Sequence, residues 1–282
     1  MAPEGRRCGA VWRACRGAAA AALLLVGLGC DAREWNLRRY DREIQRSAQA
    51  VASAKSDAER AAAHDRRARA YSERARYARA FKITSAEEYG RLFDLAVADH
   101  AKAIALAPAD AALYLGRGRT SFDRATLEEA AEARKTWYGS AEADFTRAIE
   151  RSPRSAEAFD MRGLVYSVWN DHERAIADFT AEMKLEPRLG KLRLYEAYCQ
   201  RGSEHQKAGR HGEAITDYES ATALRSPGDS CDCQAETPLA WEYLEKKDYD
   251  RSWQVVRQAR SDGRWIAPEL LERLKKESGR DR

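Results

Sequence analysis

Arg162 poses the first chemical question of this sequence. In "FDMRGLVYSVWNDHERAIADF", residues 159–179, it stands among Phe159, Gly163 and Tyr166, on the face that helical spacing predicts to be buried. A guanidinium there needs a partner or a ligand, because an isolated buried charge is costly. Asp178 follows sixteen residues later, and Asp217 follows Arg201 at the same separation. Antiparallel helices joined by a short turn bring such positions side by side. Once insertions are allowed for, Arg67 aligns with Asp99 and Arg117 with Asp144. Near the C-terminus Leu239 and Val255 occupy the corresponding places, so the two charges are present or absent together. The pattern predicts a structural, bidentate Arg–Asp pair inside each helical hairpin. An arginine ladder for an acidic ligand is the weaker alternative, since an aspartate competes for each guanidinium.

Other reactive side chains are more scattered. The histidines at 64, 100, 172, 205 and 211 form no close ligand pair, and His100 and His205 sit where core aromatics are expected. Cys199, Cys231 and Cys233 leave three readings open: free thiols, a disulfide from Cys199 to either member of the 231–233 pair, or a metal or redox site shared with His205. Free thiols are preferred, because Cys231 and Cys233 are too close together for an easy mutual bond and a fourth metal ligand is not evident. There is no glycine-rich phosphate loop, Gly-x-Ser-x-Gly elbow or His-Glu-x-x-His motif. The expectation is a protein without catalytic residues, metal or cofactor.

The elements that must position these side chains repeat along the chain. Residues 156–189 contain Phe159, Gly163, Tyr166, Ala175, Phe179 and Pro187. Residues 195–228 supply Tyr198, Gly202, His205, Ala214, Tyr218 and Ala221, with Pro227 one place late. The same order recurs at 111–155 (Tyr114, Gly118, Ala141, Phe145, Ala148, Pro153) and at 61–110 (Ala68, Tyr71, Ala96, Ala103, Pro108), with longer middles. A degenerate fifth copy at 233–266 offers Ala240, Tyr243, Ser252 and Ala259. Small residues let two helices approach, aromatics fill the remaining space, and a proline ends the second helix.

This 34-residue pattern resembles the tetratricopeptide repeat (TPR), a helix–turn–helix unit. The resemblance implies an all-α, right-handed solenoid of about five hairpins over 61–266, whose neighbours bury one another's faces. Ser85-Ala86-Glu87-Glu88 and Thr126-Leu127-Glu128-Glu129 read as capping boxes opening second helices. Pro268 opens a capping helix with Leu270, Leu271 and Leu274 along one strip, in the closing segment 267–282. The family's concave face is lined by first helices, which implies candidate binding residues Asp65, Arg69, Arg119, Phe122, Asp160, Ser203, Lys207 and Trp241. Their mixed charge does not match the basic and amide clamp with which some members hold C-terminal carboxylates.

The first thirty residues have a different character. A basic stretch with Arg6, Arg7, Arg13 and Arg16 precedes an uncharged run from Gly17 to Gly29, too short to span a bilayer and ordered like a secretory signal. Val26-Gly27-Leu28-Gly29-Cys30 resembles a bacterial lipobox, with Gly27 where Leu is usual. The resemblance implies cleavage after residue 29 and a diacylglyceryl group on Cys30, with Asp31 as a residue that sorts between inner and outer membrane. Residues 30–60, alanine-rich with paired charges, read as a helical tether running into the first repeat. The net charge of +4 resides mostly in the leader, which carries +3, leaving 45 basic and 44 acidic residues elsewhere. That balance gives no concentrated basic face for nucleic acid. The sequence therefore reads as an exported, lipid-anchored repeat protein on the periplasmic side of the cell envelope, whose partners are other proteins or peptides. A soluble, unlipidated scaffold is the second reading.

Overall fold

The computed structural model describes residues 32–225 and 235–280, and their regular structure is entirely α-helical. The chain divides after Arg151 into two compact units. The first contains α1 (Ala32–Ser53), α2 (Asp57–Ala80), α3 (Ala86–Leu106), α4 (Ala111–Ala125) and α5 (Ala131–Arg151). The second contains α6 (Ala156–Val168), α7 (His172–Leu185), α8 (Pro187–Lys207), α9 (His211–Leu224), α10 (Glu236–Glu245), α11 (Tyr249–Ser261) and α12 (Pro268–Ser278). Within each unit every helix packs on the next. The hairpins α2–α3, α4–α5, α6–α7, α8–α9 and α10–α11 correspond to the five repeats, and all-α TPR-type architecture is thereby realised.

Local chemistry sets most helix starts. Ser85 accepts from the Glu88 amide at 3.3 Å, Ser155 from Ala158 at 3.3 Å, Asp171 from Arg174 at 3.1 Å and Asp248 from Arg251 at 3.2 Å. Each satisfies an amide with no partner inside its own helix. The turns inside the last three hairpins pass through the left-handed region at Asn170, Gly209 and Lys247. Proline sets the joint between α7 and α8. It is the first residue of α8, so Glu186 alone separates the two helices.

Three sequence expectations are corrected here. Thr126 does not open α5; it ends α4, and its hydroxyl donates to the Asp123 carbonyl and accepts from Arg79 of α2. The helix begins only at Ala131, because the tertiary partner of Thr126 outcompetes a local cap. The first helix of the fourth repeat extends upstream of residue 195, since α8 already runs from Pro187. Residues 32–53 do not form a tether continuous with the first repeat. The chain breaks before Ser56, and α1 packs back on α2, with Arg74 Nε donating to Asp41 at 2.7 Å, the Asn36 amide to the Tyr77 hydroxyl at 3.1 Å, and Leu37 against the core of Phe93 and Tyr89.

The constraint shared by three hairpins is the absence of a side chain. A Cβ on Gly118 would come within 2.6 Å of the Phe145 ring, one on Gly163 within 2.6 Å of Phe179, and one on Gly202 within 2.9 Å of Tyr218. Each ring is wholly or nearly wholly buried. Burying a large apolar side chain contributes roughly 1.5–3 kcal/mol, and these rings obtain it by lying directly on helix backbone. The last repeat ends under α12, whose Leu270 and Leu274 are fully buried with Trp253, Val256 and Ile266.

Gly163→Ala should therefore lower stability by about 1–3 kcal/mol through overpacking, although alanine favours a helix interior by about 1 kcal/mol. Urea midpoints would read this, and Phe179→Leu in the same chain should restore part of the loss.

Candidate functional site

The predicted arginines and aspartates meet across the hairpins. Arg162 Nε and Nη2 donate to the two carboxylate oxygens of Asp178, both at 2.8 Å. Arg201 makes the same fork to Asp217 at 2.9 and 2.6 Å, Arg117 to Asp144 at 2.8 and 2.7 Å, and Arg67 to Asp99 at 2.5 and 2.8 Å. The carboxylates are almost completely buried while the guanidinium edges stay partly exposed. Hydrogen bonding to the aspartate raises Arg67, Arg117 and Arg201 above the usual range, against burial. Burial opposes the charge on Asp99, but Arg67 and then His64 outweigh it and hold the carboxyl low. The guanidinium of Arg162 also lies 5.9 Å from the Phe159 ring and 5.8 Å from Tyr166, so its aromatic neighbours add cation–π contact. In the fifth hairpin Leu239 is buried with Val255 packed beside it.

The remaining candidates disperse. Cys199 is buried against Ala214, Tyr218 and Leu239. Cys30, Asp31, Cys231 and Cys233 lie outside the described residues, so the anchor and the disulfide fall there too. His205 accepts from Arg210 Nε at 2.9 Å and lies 3.7 Å from Asp217, while His100 is buried 3.4 Å from Asp65. Among the described residues no three His, Cys, Asp or Glu side chains are grouped to hold a metal ion.

Of the residues expected on a concave face, several are occupied. Asp65 is buried, paired with Arg69 at 2.9 Å; burial opposes its charge, yet His100 and Arg69 keep its carboxyl low. Phe122 stacks edge-on with Tyr138 of its own hairpin at 5.2 Å. Asp160 is bound by Arg193 of α8 at 2.8 Å. Trp241 packs against the α12 cluster with Arg273 5.3 Å above its ring. Ser203 is half-buried, whereas Arg69, Arg119 and Lys207 are exposed. Asp65, Phe122, Asp160 and Trp241 are thus engaged within their own units.

Glu182 was not singled out from the sequence. It is 2% exposed, and its Oε2 has no hydrogen-bond partner. Burial first, then the neighbouring carboxylates of Asp160 and Glu186, push its pKa up to about 7, with Arg193 acting in the opposite sense. It lines a cavity of about 780 Å³ with Arg154, Glu157, Asp160 and Glu186. A signal was present in the repeat register. The equivalent place holds Ala103, Ala148, Ala221 and Ala259, all buried, in the other four hairpins. A carboxylate has replaced a packing alanine in one repeat only.

Two expected outcomes follow from this geometry. Arg162→Leu or Asp178→Val alone should cost about 3–5 kcal/mol, and the double variant far less than their sum; a double-mutant cycle in urea would measure the coupling. Glu182 is protonated more readily in the folded chain than in the unfolded one, whose value is 4.5. Its stabilising contribution is complete below that value and is lost as pH rises through about 7, a loss on the order of 3 kcal/mol. Glu182→Gln should remove this part of the pH dependence in melts taken between pH 5 and 8.

The geometry coincides with a known pattern at the sequence level. The tetratricopeptide repeat model matches residues 195–226, which contain most of α8 and all of α9. The small glutamine-rich tetratricopeptide repeat-containing protein 2 of Mycosarcoma maydis is 33% identical over 82 residues, 29% of this chain and 22% of that protein. The match thus spans about a fifth of that relative's length. Among solved structures, a thermophilic TPR protein of Thermus thermophilus is similar with a TM-score of 0.43 and 21% identity, over 76% of this chain and 95% of its own. YrrB, described as a TPR protein with an unusual peptide-binding site, gives 0.43 and 18%, over 83% and 92%. The family match at 195–226 falls on one helical hairpin, which shares its internal pattern with the other four.

Proposed function

We propose that this chain is a protein–protein adaptor or assembly scaffold, exported and held at an envelope membrane by lipid on Cys30. One observation carries the scaffold reading. The arginines and aspartates at the repeat positions are consumed inside the hairpins as Arg–Asp forks. The first helices also present exposed side chains, such as Arg119 and Lys207, on surface suited to contact with another macromolecule. The anchor reading rests on the lipobox-like residues 26–30 and the basic-then-apolar order before them. Among the described residues no helix is long and apolar enough to cross a membrane. Several acyl chains on one cysteine would hold such a chain stably, since one chain alone binds marginally. Asp31 would then bear on which membrane receives it.

The test compares the full-length chain with Cys30→Ser in a bacterial host. The expected result is wild type that starts at Cys30, carries acyl mass and sediments with membranes, while the variant loses all three. Wild type that keeps residues 1–29 and stays in the soluble fraction would remove the anchor and leave the soluble scaffold. Crosslinking of the membrane-bound chain, followed by mass spectrometry, tests the scaffold separately. Recovery of no stoichiometric protein partner would overturn it.

A further inference from the structure

We infer that the cavity between the start of α6 and the end of α7 is a recognition pocket for a basic side chain, a lysine ammonium or arginine guanidinium, presented by a protein partner. The inference deepens the scaffold reading and rests on it.

The cavity is lined by Arg154, Glu157, Asp160, Glu182 and Glu186, with Ser155 and Leu185 at its edges. Counting Arg193, which binds Asp160 at 2.8 Å, four carboxyls face two guanidinium groups. The charge left over is one negative with Glu182 neutral and two with it ionised. Glu182 is the decisive residue. It is nearly fully buried, its Oε2 lacks a hydrogen-bond partner, and it lines a space that a side chain can enter. A buried carboxylate without partners is expensive to keep, and four sibling repeats place alanine at this position. Packing alone therefore does not account for it. A cation seated beside it would supply the missing donor and charge. Divalent metal fits less well, because no three ligating side chains are grouped there among the described residues.

The charged groups acting on Glu182 are Asp160 from α6, Arg193 from α8, and Glu186 at the end of its own helix. Without a guest, burial and the two carboxylates hold its proton to about pH 7. An arriving cation favours the ionised form, so binding releases that proton and strengthens as pH rises. If occupancy requires ionised Glu182, affinity gains about tenfold between pH 6 and pH 8.

The test uses the full chain with capped, uncharged-terminus peptides bearing three lysines or three arginines, and spermidine as a free amine. Affinity is measured at pH 6 and 8, together with the carboxyl titration of Glu182 followed by NMR. The expected result is peptide binding about tenfold tighter at pH 8, with the Glu182 midpoint lowered by at least one unit at saturation. Glu182→Ala, which restores the residue of the other repeats, should fold and lose both effects, whereas Glu186→Gln should keep them in weaker form. Peptide affinity that is equal at the two pH values, or unchanged in Glu182→Ala, would overturn the pocket. Spermidine binding alone, without the peptides, would overturn the protein-side-chain source. Neither result touches the scaffold reading, which stands or falls on the crosslinked partner.

Discussion

Everything in these hairpins depends on how closely two helices can approach at one point. Where the first helix carries glycine, an aromatic ring of the second lies on its backbone at a distance that would exclude a Cβ. The arginine immediately precedes that glycine, and the aspartate immediately precedes that ring: Arg117-Gly118 with Asp144-Phe145, Arg162-Gly163 with Asp178-Phe179, Arg201-Gly202 with Asp217-Tyr218. One close approach thus aligns the apolar contact and the ionic fork together. A bidentate pair tolerates little displacement, because both donors must reach both oxygens in one plane. The ion pair consequently reports the helix separation as well as depending on it.

The remaining two hairpins show the same constraint by compensation. Where the small residue is Ala68, the place of the ring is taken by His100; where it is Ala240, by Val256. In the second case the adjacent pair is Leu239 with Val255, and the charge has left both helices. A buried ion pair and a hydrophobic pair of similar volume are near-equivalent solutions, whereas half of either is not. Ser252 adds a buried hydrogen bond to the Ala240 carbonyl at 2.8 Å, which ties the last hairpin where the charges are gone.

Polar residues between hairpins obey a different logic. Arg193 reaches Asp160, Gln206 and His211 reach Glu242, and Arg76 reaches Asp123, each joining one repeat to its neighbour. These bonds occupy side chains that would otherwise line a binding face. Recognition is therefore left to whatever the inter-repeat bonds do not use, and Glu182, like Asp65, is buried with a carboxylate oxygen that has no hydrogen bond.

The amino-acid order by itself determined the repeat, its hairpins and their Arg–Asp partners. Those features are legible because they are local: a turn of fixed length sets which positions of two adjoining helices face each other. The capping helix was legible for the same reason, through Leu270 and Leu274 on one strip. The tertiary structure alone decided that Thr126 bonds to Arg79 instead of starting a helix, that α8 begins at Pro187, and that α1 folds back on α2. It also decided that Phe122, Asp160 and Trp241 are occupied, since the partners of Asp160 and Trp241 lie about one repeat away. Glu182 falls between the two classes. Its departure from alanine is written in the repeat register, but its proton is set first by burial and then by Asp160 and Arg193, which only the packing of α6, α7 and α8 brings around it.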